Sequence, residues 1–348
     1  MLIVDDPRAV LGALSAWVYG TGAGEPLPLL FATTGTNGKT SVSHLLEGIL
    51  GQLGVVTGLS STAERHIAGE VIVSRLTTPE ASEMHALLAL MRERDVEAVA
   101  VEVSAQALSR HRVDGIRFDV AGFTNLSHDH LDDYADMEEY FEAKLALFRP
   151  DRATRAVVCL DSPSGATVAQ RSEIPVVTVG TPSIAADPEG AARADWVVVI
   201  DDERASGTTF TLTGPAGRLT TTVPVIGPHM AANAALAIVM LLEGGYEWDR
   251  IASALDRDGG ILAHLPGRTQ LVSGDTGPVV FVDFGHSPDA FEKTLAAVRR
   301  VTPGKVLMLF GADGDRDASK RFDMARTAVE GSDCLLYTSD AADDSLRV

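Results

Sequence analysis

Residues 29–54 read LLFATTGTNGKTSVSHLLEGILGQLG, an apolar run followed directly by a turn of small residues and a helical pattern. A strand, a tight turn and a helix in this order form an anion site, because the N–H groups of the turn and of the helix N-terminus point to one spot and the helix dipole adds to their attraction. Lys39 brings a mobile positive charge, and the Thr40 hydroxyl suits Mg²⁺. The segment predicts a nucleoside triphosphate site; a glycine-rich turn that only caps a helix is the alternative.

The turn departs from the phosphate-loop pattern G-x-x-x-x-G-K-[ST] at one position, since Thr33 stands where the first glycine is expected. A triphosphate nevertheless remains the better interpretation of the segment. The residues predicted to contact it are Gly35, Thr36, Asn37, Gly38, Lys39, Thr40 and Ser41.

Length, charge and cysteine content narrow the possible functions. The 348 residues suffice for two domains, and a formal net charge of −19 argues against nucleic acid or an anionic membrane as the main partner. Cys159 and Cys334 provide neither a disulfide framework nor a zinc spacing, and the first residues lack a signal-peptide pattern. The longest apolar stretch, 234–242, is half as long as a membrane span. We expect a cytoplasmic monomer that binds small molecules.

Short apolar runs alternate with helical patterns along most of the chain. Strands are predicted at 28–32, 98–103, 120–124, 156–160, 176–179 and 196–200, and helices at 41–52, 82–93, 137–147 and 231–243. This alternation favours an α/β fold with a mostly parallel sheet covered by helices. Thr-rich alternation at 205–225 predicts a hairpin insertion, and a strand–helix–strand order resumes after a junction near Gly267.

Four further segments could complete a site around the triphosphate. Glu102 ends a buried strand, where α/β sheets bind ligands. The segment FTNLSHDHLDDY follows the next strand and contains His130, the helix MEEYFEAKLALF carries Lys144, and GDRD at 314–317 follows a later strand. Each signal is weak alone, because such residues are commonly solvent-exposed. Their combined order after a phosphate turn is a much stronger signal than any one of them.

That order resembles the Mur ligases of peptidoglycan synthesis, through TGTNGKT, TTPE, EVS-x-x-AL and RVDGIRFDVAGFTNLSHDHLDDYADMEEYFEAK. The resemblance extends from about residue 4 to residue 333 and is strongest to the branch that adds a diamino acid (meso-diaminopimelate, L-lysine or similar) to UDP-MurNAc-L-Ala-D-Glu. It implies an ATP-dependent amide ligase, in which ATP phosphorylates the substrate carboxylate and the amine attacks the acyl phosphate. It also implies a P-loop central domain with a mostly parallel sheet, followed by an incomplete Rossmann-like α/β C-terminal domain.

The resemblance assigns roles to individual residues. Those implied in catalysis are Lys39, Glu102, His130 and Lys144, and those implied in holding Mg²⁺ are Thr40, Glu102, His130 and Lys144, where Lys144 matches a lysine that reacts with CO₂ to form a carbamate. Beyond the turn, ATP is expected to contact Asn233, Arg268, Asp283 and His286. The UDP-MurNAc-dipeptide is expected to contact Thr77, Thr78, Ser104, Arg110 and Arg112, and the diamino acid Arg316.

The sequence departs from the family pattern at several positions. Ala105 and Gln106 stand in EVSAQAL where EVSSHAL is common, and Met230 stands where the adenine segment usually has a further asparagine. His128 precedes Asp129-His130 where Arg is common, and Arg110 stands where Gln is frequent. These departures affect the expected substrate and adenine contacts, and they leave the triphosphate and metal residues intact.

Both ends look cut relative to the family. We interpret residues 1–28 as a remnant of the N-terminal UDP-MurNAc-binding domain, 29–265 as the central ATP-binding domain, 266–333 as part of the C-terminal domain and 334–348 as a suspect tail. The string CLLYTSDAADD resembles translated sequencing-adapter read-through, and DAAD at 340–343 stands where D-N-P-R would select the diamino acid; a genuine acidic tail is the alternative. We expect the chain as given to lack useful ligase activity.

Two other functions stay open. A folylpolyglutamate synthase-like ligase shares the turn, the acid, the histidine and the lysine, although TTPE and RHRVDGIRFDV argue against it. A non-catalytic fragment that binds ATP without ligation is the second alternative. Binding of folate compared with binding of UDP-MurNAc would separate the two ligases.

Overall fold

The computed structural model describes residues 3–22, 24–73, 76–128, 133–274, 276–312 and 320–339, which alternate between strands and helices. The helices are α1 Pro7–Tyr19, α2 Lys39–Gln52, α3 Ala81–Glu93, α4 Ala105–Ser109, α5 Met137–Leu145, α6 Pro163–Arg171, α7 Pro188–Ala191, α8 Pro228–Glu243, α9 Trp248–Arg257, α10 Pro288–Val301 and α11 Lys320–Gly331. The strands are β1 Leu29–Thr34, β2 Thr57–Ser60, β3 Arg65–Ile67, β4 Glu70–Ile72, β5 Ala98–Glu102, β6 Phe118–Phe123, β7 Ala153–Cys159, β8 Val176–Gly180, β9 Trp196–Arg204, β10 Gly207–Gly214, β11 Gly217–Val223, β12 Gln270–Leu271, β13 Phe281–Val282, β14 Leu307–Ala312 and β15 Cys334–Ser339.

One large sheet has the strand order β11-β10-β9-β8-β7-β6-β1-β5-β2-β3-β4. The strands from β9 through β1 to β2 are parallel to one another, and antiparallel strands extend both edges. The predicted mostly parallel α/β sheet is confirmed. The predicted hairpin is also confirmed, since β10 pairs antiparallel with β11, and through β9 it lengthens the main sheet.

Two apolar layers enclose the sheet because successive side chains of a strand point to opposite faces. In β1, Phe31 packs into the cluster formed with α2 and α8, whereas Leu30 and Ala32 pack into the cluster formed with α3. Helix α8 is buried over nearly its whole length, which explains its unusually apolar sequence. A strand buried on both faces is typical of a parallel sheet, and it fixes the position of the turn that follows β1.

The predicted element boundaries differ from the structure by a few residues. β1 extends to Thr34, beyond the predicted end at 32, and α2 already begins at Lys39, so the intervening turn is shorter than predicted. Helix α5 ends at Leu145 and continues as a short 3-10 turn, Ala146–Phe148. The short strands β2, β3 and β4 were not predicted, because runs of three or four residues carry too little alternation to recognise.

The C-terminal part has its own small core. β14 and β15 pair in parallel, and Phe291, Phe310, Met324 and Ala328 form a buried cluster between these strands and the helices α10 and α11. The foreign origin of residues 334 onward stays a prediction, although six of them form β15. The domain limits likewise stay a prediction. Within the described ranges, no helix combines the length and hydropathy needed to cross a bilayer.

Candidate active site

The turn between β1 and α2 has a backbone shape that favours glycine at two positions. Gly35 has φ +145° and Gly38 has φ +89°, both in the region that side chains disfavour. A Cβ atom on Gly35 would lie 1.9 Å from Thr124 Oγ1, and one on Gly38 would lie 2.8 Å from Asn233 Oδ1. The turn therefore packs directly against the segment after β6 and against α8, the helix predicted to contact adenine.

Residues that follow β6 hold the turn in place. The backbone N–H of Thr36 donates to the Asn125 carbonyl at 2.9 Å, and the N–H of Asn37 donates to Asn125 Oδ1 at 3.0 Å. Thr124 Oγ1 donates to the Asn37 carbonyl at 2.6 Å. The sequence interpretation missed Thr124 and Asn125, although their place at the carboxyl end of a predicted strand in FTNLS was the signal that could have identified them.

Two predicted lysines donate to the same carbonyl oxygen of the turn. Lys39 Nζ lies 3.1 Å from the Gly35 oxygen and 2.9 Å from the Thr36 oxygen, and Lys144 Nζ lies 2.8 Å from the Gly35 oxygen. Lys144 is 1% exposed, and its ammonium group lies 4.2 Å from the centre of the Tyr140 ring. Lys144 is thus buried beside the turn, whereas Lys39 lies on the side of the turn that faces the cavity.

Glu102, at the end of β5, is buried among hydroxyl groups. Its Oε2 accepts hydrogen bonds from Thr40 Oγ1 at 2.9 Å, from the Thr62 N–H at 2.8 Å and from Thr62 Oγ1 at 3.0 Å, while its Oε1 lies 4.0 Å from Lys39 Nζ. The sequence interpretation missed Thr62 because β2, the strand before it, was not recognised. The Glu102 carboxylate and the Thr40 hydroxyl, in the first turn of α2, are therefore close enough to contact the same ligand.

The donor set beside Thr40 fits Mg²⁺. The Thr40 hydroxyl and the Glu102 carboxylate are both hard oxygen ligands, and Mg²⁺ binds through one or two such protein groups together with phosphate oxygens and water. No cluster of three or more His, Cys, Asp or Glu side chains that could hold a metal occurs within the described ranges. His130, the third predicted ligand, lies outside the described residues.

Arg268 links the C-terminal part to the phosphate turn. Its Nη2 donates to Thr40 Oγ1 at 2.8 Å, and its guanidinium lies 4.7 Å from the centre of the Phe284 ring. Burial lowers the pKa of Arg268 below its ordinary value. Asp283 accepts from the Thr269 N–H at 2.7 Å and so fixes the backbone beside Arg268, while His286 is exposed with Nδ1 3.1 Å from the Phe284 carbonyl.

The predicted substrate residues occupy the other side of Glu102. Thr77 Oγ1 lies 2.9 Å from Thr62 Oγ1, and Arg112 contacts the Glu80 carboxylate at 3.1 Å. Arg110 pairs with Asp133. Two residues have structural roles: Thr78 Oγ1 donates to the Glu102 carbonyl, and Ser104 Oγ accepts from the Ala107 N–H at the start of α4. Arg316, predicted to meet the diamino acid, lies outside the described residues.

One cavity of about 1090 Å³ unites the site. Of the predicted residues that the structure describes, all except Gly35, Thr78 and Lys144 line it. Eight of the described lining residues are lysine or arginine and five are aspartate or glutamate, so the cavity has a positive excess in a chain of formal net charge −19. A local positive field of this kind favours anionic ligands.

Helix α10 contributes residues to the cavity that sequence reasoning missed. Asp289 Oδ2 accepts from Asn37 Nδ2 of the turn and from Lys293 Nζ, each at 2.8 Å. Burial, followed by the charge of Lys293, lowers the pKa of the nearby His229 to about 4, so this ring is neutral at pH 7. The Ser-Pro-Asp sequence signals only the start of a helix, and no local pattern reveals which distant residue Asp289 meets.

Comparison with known families agrees with this geometry. The profile of the Mur ligase middle domain matches residues 33–241, and that of the Mur ligase glutamate ligase domain matches residues 267–347. The chain belongs to the Mur ligase family. The two profiles meet in the structure at the Thr40–Arg268 contact, because Thr40 lies in the first match and Arg268 in the second.

Similar Mur ligases and fold neighbours are longer than this chain. A UDP-N-acetylmuramyl-tripeptide synthetase of Leifsonia xyli subsp. xyli is 58% identical over 97% of the chain and 64% of the relative. A solved UDP-N-acetylmuramoyl-L-alanyl-D-glutamate–2,6-diaminopimelate ligase has a TM-score of 0.72 at 24% identity, with 97% of this chain and 67% of that chain covered. A bifunctional folylpolyglutamate synthase/dihydrofolate synthase solved with Mn, AMPPNP and L-glutamate has a TM-score of 0.69 at 22% identity, with 95% and 80% covered. The chain spans just under two thirds of the length of the curated relatives.

Gly35→Ala is expected to lower both the thermal midpoint and the affinity for MgATP. The new Cβ would overlap Thr124 Oγ1 at 1.9 Å and would strain a backbone with φ +145°, so the turn must move away from the strand end that holds it. Gly51→Ala, in the helix α2 that follows the turn, is the control because nothing lies within 4 Å of its Cβ position. Differential scanning fluorimetry with and without MgATP measures both effects; equal behaviour of the two variants would contradict the assigned turn geometry.

Proposed function

We propose that this chain is the ATP-dependent ligase portion of a MurE-type enzyme, which adds a diamino acid to UDP-MurNAc-L-Ala-D-Glu in the cytoplasm. The observation that carries the proposal is the convergence of the phosphate turn, Glu102 and Arg268 on the Thr40 hydroxyl within a single basic cavity. The 58% identity to a protein named as a UDP-N-acetylmuramyl-tripeptide synthetase supports the choice of substrate.

The proposed reaction has two steps. An oxygen of the substrate carboxylate bonds to the γ-phosphorus of ATP, and ADP leaves. The amine nitrogen of the diamino acid then bonds to the acyl carbon, inorganic phosphate leaves, and the nitrogen loses a proton to solvent. In both steps negative charge develops on phosphate oxygens, and the positive charges that line this cavity would stabilise it.

The residues of the turn would bind and orient the triphosphate. The first turn of α2 presents its N–H groups, Lys39 supplies a positive charge on the open side, and Arg268 approaches from the C-terminal part. Gly38 allows close approach to Asn233, which would lie beside adenine. Asp283 and His286 line the same cavity and would contact the ribose and phosphates.

Thr40 and Glu102 would hold Mg²⁺, with His130 as a further ligand. The ion supplies charge neutralisation for phosphate oxygens, and the protein groups that would bind it are already within hydrogen-bond distance of each other. Thr62 donates two hydrogen bonds to the Glu102 carboxylate and orients it.

Lys144 is proposed to be carbamylated. A carbamate forms when a neutral lysine nitrogen bonds to the carbon of CO₂ and loses a proton, which converts a cation into an anion. The carbamate nitrogen keeps one N–H, so the hydrogen bond to the Gly35 carbonyl is compatible with the modification. The anion would then add a hard oxygen ligand beside the turn.

A folylpolyglutamate synthase-like reaction is the second candidate, since that fold neighbour has a similar TM-score. The fold does not separate the two, because both neighbours are under 25% identical to this chain. Arg110 and Arg112 line the cavity and favour an anionic ligand, which either substrate provides; the preference for UDP-MurNAc-L-Ala-D-Glu rests on the 58% identical relative.

Ligase activity is tested on the chain joined to the N-terminal portion and the C-terminal end of the 58% identical relative. We expect ADP release that requires both UDP-MurNAc-L-Ala-D-Glu and a diamino acid, with lysine, ornithine and meso-diaminopimelate compared in parallel. The 348-residue chain alone is expected to bind MgATP without useful turnover. ADP release that responds to folate and glutamate instead would overturn the proposal.

A further inference from the structure

A face of α2 holds the segment that leads into the C-terminal part. This segment, residues 258–268, follows α9 and precedes β12, and we refer to it as the connector. It contacts α2 at positions 40, 44, 48 and 52, which are four residues apart and so share one face of the helix. The connector therefore lies along α2 from Thr40 to Gln52.

The contacts run antiparallel to α2. At the far end, Gln52 donates to Asp258 Oδ2 at 2.9 Å and to the Gly260 carbonyl at 3.0 Å, and it accepts from the Leu262 N–H at 2.9 Å. One turn nearer the phosphate turn, Gly48 gives room for the connector, since a Cβ there would lie 2.5 Å from the Leu262 oxygen. The far half of the connector is thus fixed by hydrogen bonds and by close backbone approach.

His44 makes the next contact, and it is buried with 2% exposure. Its Nδ1 lies 3.0 Å from the His264 carbonyl oxygen and its Nε2 lies 3.1 Å from Ser61 Oγ. Because a carbonyl only accepts, Nδ1 carries the proton of this pair. Burial lowers the pKa of His44 below its ordinary value, which agrees with a neutral ring.

The last contact joins the connector to the candidate metal site. Arg268 donates to Thr40 Oγ1, four residues after His264 in the connector and one helical turn before His44 in α2. Ser61, the other partner of His44, immediately precedes Thr62, which donates to the Glu102 carboxylate. His44 is therefore within hydrogen-bond distance of two segments that shape the site, the connector and the segment that contains Thr62.

We propose that His44 is a positioning residue, which fixes the connector on α2 and thereby holds Arg268 against Thr40. The nucleotide part of this inference rests on the proposed ATP binding, because Arg268 matters to affinity only if phosphate binds there. The Nδ1–H bond to the His264 carbonyl carries the effect. When that bond is lost, the buried side chains of Ile261 and Leu265 should keep the connector attached to the core, while its backbone opens more often.

Three substitutions of His44 separate its two bonds. His44→Asn places an amide N–H near the former Nδ1 and keeps the bond to His264, His44→Gln places its amide toward Ser61, and His44→Phe keeps the ring shape without either bond. We expect His44→Phe and His44→Gln to speed hydrogen exchange in peptides that cover 258–268 and to weaken MgATP binding about tenfold, the effect of one lost hydrogen bond. His44→Asn is expected to change both by less than about threefold.

Hydrogen exchange by mass spectrometry, calorimetry with MgATP and the thermal midpoint are measured on the full chain. Gly48→Ala is the independent variant, expected to speed exchange in the connector because its Cβ meets the Leu262 oxygen. Exchange in the β10–β11 hairpin is the internal control and should stay unchanged. Faster exchange everywhere, or equal effects of the asparagine and phenylalanine variants, would overturn the positioning role. If the unaltered chain fails to bind MgATP, the proposed function falls, while connector exchange still decides the role of His44.

Discussion

Replacement of Lys39 by alanine is expected to lower the affinity for MgATP by at least about 100-fold, the loss that one or two charge-assisted hydrogen bonds represent. Lys39 is the lysine of the phosphate turn, and its Nζ lies within reach of the Gly35 and Thr36 carbonyls on the open side of the cavity. The chain carries a formal net charge of −19, so the phosphates depend on local cations for a favourable field. Removal of this charge should reduce binding without disturbing the core.

Calorimetry at fixed ionic strength measures this effect, because salt screens exposed charges. Lys305→Ala is the matched control, since Lys305 is exposed and lies outside the residues that line the cavity. We expect the control to bind MgATP normally and both variants to keep the thermal midpoint of the unaltered chain. Unchanged MgATP affinity in Lys39→Ala would remove the basis for the phosphate-turn assignment.

Lys144→Ala is expected to abolish ligase turnover in the joined enzyme and to reduce stability. Lys144 is 1% exposed, and its loss leaves a cavity beside Tyr140 and removes a 2.8 Å hydrogen bond to the Gly35 carbonyl. The Gly35 oxygen keeps its hydrogen bond from Lys39, so the loss of stability comes from the cavity and from the lost packing of the lysine stem. If the carbamate is the active form, short carboxylates should partly restore turnover, because they replace the missing anion.

The carbamate is also tested directly by mass spectrometry under native conditions. We expect one added CO₂ per chain, lost in acid and restored by bicarbonate, and absent in Lys144→Ala. Glu138→Ala is the control on the same helix, where the side chain is 74% exposed. Turnover that survives in Lys144→Ala, or a chain that never gains CO₂, would reduce Lys144 to a structural support of the turn.

The sequence predicted the parts of the site that depend on local pattern. The turn, α2 and Glu102 were recognisable because an apolar strand, small residues and a helical period follow one another, and because acids at the carboxyl ends of parallel strands meet at one edge. The parallel sheet followed from the alternation of elements. Arg268 was assigned only through the family resemblance, and its contact with Thr40 is seen in the structure.

Long-range contacts could not be predicted, since no single segment encodes them. Asn125 holds the turn partly through a backbone carbonyl, which any residue possesses, and Thr62 follows a strand of four residues that was too short to recognise. The sequence analysis assigned no role to His44 or Gly48. Their importance appears only when the connector is seen against α2.

The central position of β1 has a consequence for the order in which the protein folds. β1 pairs with β5 and β6, so Leu30 N–H meets its acceptor Asp119 across 89 residues of chain, and Asn37 meets Asn125 across 88. During synthesis, β1 and the turn can complete these contacts only after β6 and the residues that follow it have left the ribosome. Contacts this distant in sequence slow folding, because the chain loses the entropy of loop closure before the stabilising contacts form. We therefore expect a nascent chain that stops before residue 118 to leave β1 without one neighbour and to need protection from aggregation.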